Sequence, residues 1–247
     1  MTSPRTVAVV PLRDGVSGKS RLAAALDPGA RRRLVVALAR HVGEVLASLV
    51  ADGGLAGVVV VTADVPFVEE VLPGLIGNSS PDRQSGLPIR SRVAEVIPEP
   101  PDRPGLNGAL DHAREHVRVH AREHGAYRGA DRVLVVHADL PRLTAADVHA
   151  LLTTEADVAV ATDRHGTGTN LLSVPLEVPG ADGFPFRFGP GSRAAHEGEA
   201  AAHGLTSAVV QRPGTAADLD TIDDWAELPG EIRARVGAAV GHPLTAR

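Results

Sequence analysis

The sequence predicts an α/β fold with a mostly parallel central sheet covered by helices on both faces. Two observations carry this. Short Val-rich runs recur along the chain, and their length and unbroken apolar character suit strands buried on both sides. Segments of helical period lie between them, and strands alternating with helices form βαβ units and parallel sheets.

In order, the strand-like runs are TVAVVPL (6–12), GVVVVT (57–62), RVAEVI (92–97), RVLVVHA (132–138) and DVAVAT (157–162). The segment RRRLVVALARHVGEVLASLV sets Leu34, Leu38, Val42, Val45 and Leu49 along one helical stripe. LNGALDHAREHVRVHAREH reads as a second helix, and TAADVHALLT as a third with Thr144 as its N-cap. Residues 77–91 are Ser/Pro/Gly-rich and read as a surface loop. Residues 175–191 read as a loop or hairpin over the sheet edge and a candidate dimer contact. No linker divides the chain, so 1–247 reads as a single domain with its core at about 5–225 and a short helical tail over 222–247.

Composition narrows the function. The 247 residues are 43% hydrophobic, with aromatics at only 2%, so Val, Leu and Ala must build the core. A net charge of −5 argues against nucleic acid or an anionic membrane as the main partner. The absence of cysteine excludes disulfides, thiolate nucleophiles and Cys-ligated zinc. No uninterrupted apolar run approaches the roughly 18 residues of a membrane span, and no leader is evident, so a cytoplasmic location is expected.

Of the 25 Lys+Arg positions only residue 19 is lysine, in PLRDGVSGKSRL. A strand, a glycine-bearing turn and a helix present backbone N–H groups and a helix N-terminus to an anion. Lys19 adds a compact charge and Arg13 a fork of donors. Gly18, Lys19 and Ser20 match the end of a Walker A loop, but Arg13 stands where its first glycine belongs. The alternative is an ordinary turn with a solvated lysine.

Carboxylates at strand ends suit Mg²⁺, which takes oxygen ligands and leaves room for phosphates. Asp139 ends VLVVHAD, and Asp218 and Asp220 stand two apart in DLD, on the same side if extended. Asp64 is a further candidate. N-capping is the competing role for each. The stripe His112, His116, His120 and His124 contains H-x-x-E-H twice, but four-residue steps drift around a helix and arginines interleave. A solvated helix face is expected there.

PLRDGVSGKSRL, GLNGAL, HADLP, DRHGTGTNLL, RFGPGS and DLDT occur in an order that resembles the guanylyltransferases of coenzyme F420 biosynthesis, over residues 5 to 225. These enzymes activate phosphoenolpyruvate or 2-phospholactate with GTP. The resemblance implies a single Rossmann-like nucleotidyltransferase domain and transfer of GMP to a small phosphorylated carboxylic acid, with Mg²⁺ as cofactor. It implies that Arg13 and Lys19 contact GTP phosphates and that Gly15 and Asn107 belong to the nucleotide-binding site. Asp139, Asp218 and Asp220 would hold Mg²⁺, and Thr169, Gly189 and Ser192 would bind the acid. Arg187 could pair with the acid's carboxylate. Phosphoenolpyruvate is the expected acceptor, with 2-phospholactate and 3-phosphoglycerate as alternatives. A P-loop-like ATPase or a non-catalytic GTP-binding protein would be the other classes.

Overall fold

The computed structural model describes residues 5–13, 19–76, 93–122 and 127–241. Gly15, the 77–91 loop and His124 lie outside the described residues.

The Val-rich runs form strands. β1 (Thr6–Pro11), β2 (Gly57–Thr62), β3 (Ala94–Pro98), β4 (Arg132–Val136) and β5 (Val158–Ala161) fall within a few residues of their predicted bounds. Two further strands, β6 (Leu171–Pro175) and β7 (Ser207–Val210), complete a seven-stranded sheet in the order β3-β2-β1-β4-β6-β5-β7. β6 runs antiparallel to both β4 and β5, whereas the other neighbouring pairs are parallel.

Alternation along the strands divides the core. Ala8, Val58, Val60 and Leu134 face one side, where they pack with α1 (Pro28–Ala51), α2 (Val65–Val71), α3 (Pro73–Ile76) and α5 (Ala145–Leu152). Val7, Val9, Val59, Val133 and Val135 face the other, against α4 (Leu106–Arg122) and Ala200 of α6 (Ser192–Ala202). The 175–191 segment covers this second face rather than the sheet edge. Phe184, Phe186 and Phe188 are all buried there, because the chain has few other large groups to fill the space.

α1 has the length and composition of a membrane span, with a mean hydropathy of 1.7 over its best eighteen-residue stretch. It is a core helix here. Leu46 and Val42 pack on the sheet side. Leu34 and Leu38 meet Trp225 of α7 (Ile222–Glu227) and Val236 and Val240 of α8 (Gly230–Val240). The C-terminal helices therefore close a third apolar cluster instead of trailing as a tail.

Local sequence explains the helix starts. Asp27 accepts from the Ala30 N–H to cap α1. Asp64 accepts from the Phe67 N–H to cap α2, which is the structural role that competed with a metal role for it. Thr144 and Asp147 form a capping box on α5. On α4, His116 bonds Glu95 of the edge strand and His120 bonds the His116 carbonyl. His112, His116 and His120 are thus half-buried, and the latter two are bonded, rather than fully solvated.

Candidate active site

β1 lies between β2 and β4, so strand order reverses at β1. In an open α/β sheet such a reversal leaves a crevice at the carboxyl ends of the strands. A cleft of about 430 Å³ occupies that place, lined by Arg13 after β1, Lys19 and Ser20, Leu106 at the start of α4, His137 and Asp139 after β4, and Asp220.

Lys19 enters from a left-handed backbone conformation, φ 58°, just before a single 3-10 turn at Ser20–Leu22. Its side chain is only 8% exposed, and its ammonium donates to Asp139 Oδ2 at 2.7 Å and Asp220 Oδ1 at 2.6 Å. Burial works to lower the Lys19 pKa, but the two carboxylates outweigh it and hold it above its ordinary value. Burial works to raise Asp139, and the adjacent ammonium overrides it to leave Asp139 below the usual carboxylate range.

Asp220 is held in turn. Asp224 Oδ2 accepts from the Asp220 N–H at 2.9 Å, the Thr221 N–H at 2.6 Å and the Thr221 hydroxyl at 2.8 Å, closing a capping box on α7. Arg164 pairs with the other Asp224 oxygen at 2.9 Å.

Asp218 is turned elsewhere. It accepts from the Asn170 amide at 3.2 Å, and Asn170 also donates to the Thr215 carbonyl. Burial, then the charge of Asp139, push its pKa up. Among the described residues, no three His, Asp or Glu side chains stand in metal-binding geometry, so the expected three-carboxylate set is not assembled. Asp139 and Asp220 converge on one cation, the Lys19 ammonium, and Asp139 Oδ1 is buried with no hydrogen-bond partner among the described residues. Two carboxylates with a free acceptor oxygen fit Mg²⁺, which commonly takes one or two carboxylates and completes its shell with substrate phosphates and water.

The glycine turns meet on the far side of β4. The Arg193 N–H donates to the Thr167 carbonyl at 3.1 Å, and its guanidinium to the Gly166 carbonyl at 3.1 Å. Gly189 has φ 145° and Gly191 φ 71°, conformations that favour glycine, and Gly191 opens α6 with Ser192 buried at its first position. The turns join the cleft through His137, whose N–H donates to the Asn170 carbonyl and whose ring lies 5.1 Å from that of Phe188.

Three expected contacts are taken up within the protein. Asn107 grips the Phe188 backbone with both halves of its amide, at 2.8 and 3.1 Å. The Thr169 hydroxyl meets His196 Nδ1 at 3.1 Å. Arg187, an exposed side chain, pairs with Glu199 at 2.6 Å. Sequence reasoning missed His137, Asn170, His196 and Asp224. HADLP and GTGTN contain the first two, and Asp224 stands at capping-box spacing from Thr221 in the helix start DTIDDW, but nothing local marked His196.

Known proteins resemble this chain in sequence and in fold. The family described as "Guanylyl transferase CofC like" matches residues 89–231. A phosphoenolpyruvate guanylyltransferase of Sphaerobacter thermophilus is 36% identical, covering 95% of this chain and 96% of its own. A 3-phospho-D-glycerate guanylyltransferase of Phenylobacterium zucineum is 34% identical, covering 97% of each chain. The inositol-1-phosphate CTP transferase of T. maritima shares the fold, with a TM-score of 0.53 at 10% identity over 99% of both chains. The 4-diphosphocytidyl-2C-methyl-D-erythritol synthase of Anaerococcus prevotii does so at 0.54 and 8%, over 90% of this chain and 95% of its own. With the sequence match reaching from end to end and the fold of its sheet shared with nucleotidyltransferases, this chain belongs to the CofC-like guanylyltransferase family.

Proposed function

We propose that the protein transfers GMP from GTP to the phosphate of phosphoenolpyruvate, releasing pyrophosphate, as a step in coenzyme F420 biosynthesis. The observation that carries the reaction class is the Asp139–Lys19–Asp220 cluster at the reversal of strand order. The acceptor rests on relatives: those from Sphaerobacter thermophilus and Rubrobacter xylanophilus, 36% and 37% identical, are phosphoenolpyruvate enzymes. A 3-phosphoglycerate enzyme at 34% keeps that acid as the second reading.

A phosphate oxygen of the acid attacks the α-phosphorus of GTP, and the bond from that phosphorus to the bridging β-oxygen breaks. The acid's phosphate is already anionic at neutral pH, so no general base is needed. Lys19 and Arg13 act as fixed positive charges for the triphosphate, and pre-placed charge lowers the barrier because little reorganises during reaction. Asp139 and Asp220 would hold Mg²⁺, which supplies charge neutralisation to phosphate oxygens when bound. Thr169, Ser192 and the backbone around Gly189 hold the acid beside the nucleotide, which supplies the proximity term.

The test is pyrophosphate release from GTP with Mg²⁺, offering phosphoenolpyruvate, 2-phospholactate and 3-phosphoglycerate separately, with pyrophosphatase present. Release with phosphoenolpyruvate is expected. Release with another acid alone replaces the acceptor, and release with none, from folded protein, overturns the reading in favour of a GTP-binding protein.

A further inference from the structure

We infer that His196 is a positioning residue for the acceptor: it fixes the Thr169 hydroxyl as a hydrogen-bond donor and ties the two glycine turns together around the acid. The inference rests on the acceptor reading given above.

His196 projects from α6 and is wholly buried. Its Nε2 accepts the Arg187 N–H at 3.0 Å, so that nitrogen carries no proton in the neutral ring. The proton then resides on Nδ1, which donates to Thr169 Oγ1 at 3.1 Å. One imidazole thus joins the 166–170 turn to the segment that leads into Gly189 and Gly191. The ring has little freedom to turn, because Phe188 meets it edge-on at 4.8 Å and Phe184 lies 6.3 Å away.

The tautomer has a consequence for Thr169. A hydroxyl that accepts from Nδ1–H keeps its own hydrogen to donate, and among the described residues no acceptor takes it. A threonine that could accept or donate becomes a dedicated donor, which suits an anionic acid and disfavours a cation or a neutral donor. His196 also holds the Arg187 N–H, so the segment before Gly189 cannot withdraw from Thr169 without breaking that bond.

Three variants separate this role from a merely structural one. His196→Leu fills the space and makes neither bond. His196→Asn can keep the donor to Thr169, and His196→Gln the acceptor for Arg187. His196→Leu is expected to raise the KM for the acid about tenfold or more while the KM for GTP stays within about twofold. His196→Asn should recover more of the acid KM than His196→Gln, because it restores the donor that orients Thr169. In the wild type, nitrogen-15 spectra of the imidazole at pH 7 should show Nδ1 protonated and Nε2 bare.

An acid KM unchanged in all three variants overturns the positioning claim alone, as does a parallel rise in both KM values. So does a protonated Nε2. If His196→Leu does not fold, the Asn and Gln variants decide the matter. No pyrophosphate release by the wild type with any acid overturns the acceptor reading itself, and the positioning claim with it.

Discussion

Lys19 places its ammonium 2.7 Å from Asp139 Oδ2, a contact that spans 120 residues of chain. The same ammonium reaches Asp220, so the one lysine of the sequence pairs with two acids of the site. Lys19→Met keeps most of the stem and removes the charge. Turnover is expected to fall by about a hundredfold or more. The free protein should lose about 2 kcal/mol, because two carboxylates lose their shared partner. Millimolar Mg²⁺ should raise the Tm of the variant more than that of the wild type, read by thermal melts. A wild-type rate in Lys19→Met would remove the lysine from the chemistry.

Asp218 supplies a prediction of opposite sign for stability. Burial and the charges of Asp139 and Asp220 raise its pKa from 3.8. The folded state then binds this proton more readily than the unfolded state, so stability is present at low pH and lost as pH rises through the raised value. Asp218→Asn removes that cost at neutral pH. Its urea midpoint should increase at pH 7. A midpoint that falls instead would show that the carboxylate stabilises the fold.

His196 makes the protein sensitive to acid. Burial, with smaller effects from the charges of His137 and Arg187, holds its pKa down from 6.5 to about 4, against the opposing charge of Glu199. A depressed folded pKa gives stability that is complete above pH 6.5 and lost as pH falls toward 4. The loss over that window is about 3 kcal/mol. His196→Leu cannot titrate, so its unfolding free energy should slope less steeply between those limits. Equal slopes would place the acid sensitivity elsewhere.

Asp224 lies outside the cleft lining and yet orders it. Its carboxylate takes three hydrogen bonds from Asp220 and Thr221. Asp224→Ala should cost about 1–2 kcal/mol through the lost cap. It should also shift the Mg²⁺ titration of turnover to higher concentration, because Asp220 loses its anchor. A titration that does not move would separate Asp220 from the metal.

Gly108 allows α4 to start beside the cleft. A Cβ there would collide with the backbone carbonyl of Arg103, which a side-chain rotation cannot relieve. Gly108→Ala should cost about 1–3 kcal/mol in denaturant unfolding. It should also loosen the grip of Asn107, the preceding residue of the helix, on Phe188. An unchanged midpoint would mean that the 103 carbonyl yields freely.

The strands that were legible in the sequence are those whose own residues carry the signal. Val58, Val59, Val60 and Val61 are all fully buried, so an unbroken Val run announces β2. β7 gives no such run, because SAVV lies on the sheet's edge and is only partly buried. β6 is masked by the turn residues of GTGTN before it, and its place between the neighbouring β5 and the more distant β4 is set by pairing that its own residues do not announce. The site follows the same division. Asp139 could be singled out by residue type after a strand, Lys19 as the one lysine in a glycine-bearing turn, and Asp220 in the DLD pair. Their joining, and the diversion of Asp218, Asn107 and Arg187 to partners inside the protein, come from hydrogen bonds over 12 to 201 residues that no local pattern records.

The reversed β6 divides the labour of the sheet. Because it runs against its neighbours, its entrance opens at the same edge where β4 and β5 end, and the turn at 166–170 arrives there from the opposite direction. Lys19 and Asp139 follow β1 and β4, and Asp220 is brought to them from the segment after β7 by the Leu219 N–H donating to the Asp139 carbonyl, whereas both glycine turns hang on the β6-β5-β7 wing. Evolution can therefore retailor one wing while the other keeps its register, much as a tool changes its jaw and keeps its handle. If the glycine turns hold the acid as proposed, exchanging residues 163–170 and 184–192 together between relatives of different acceptor should change the acid that is used.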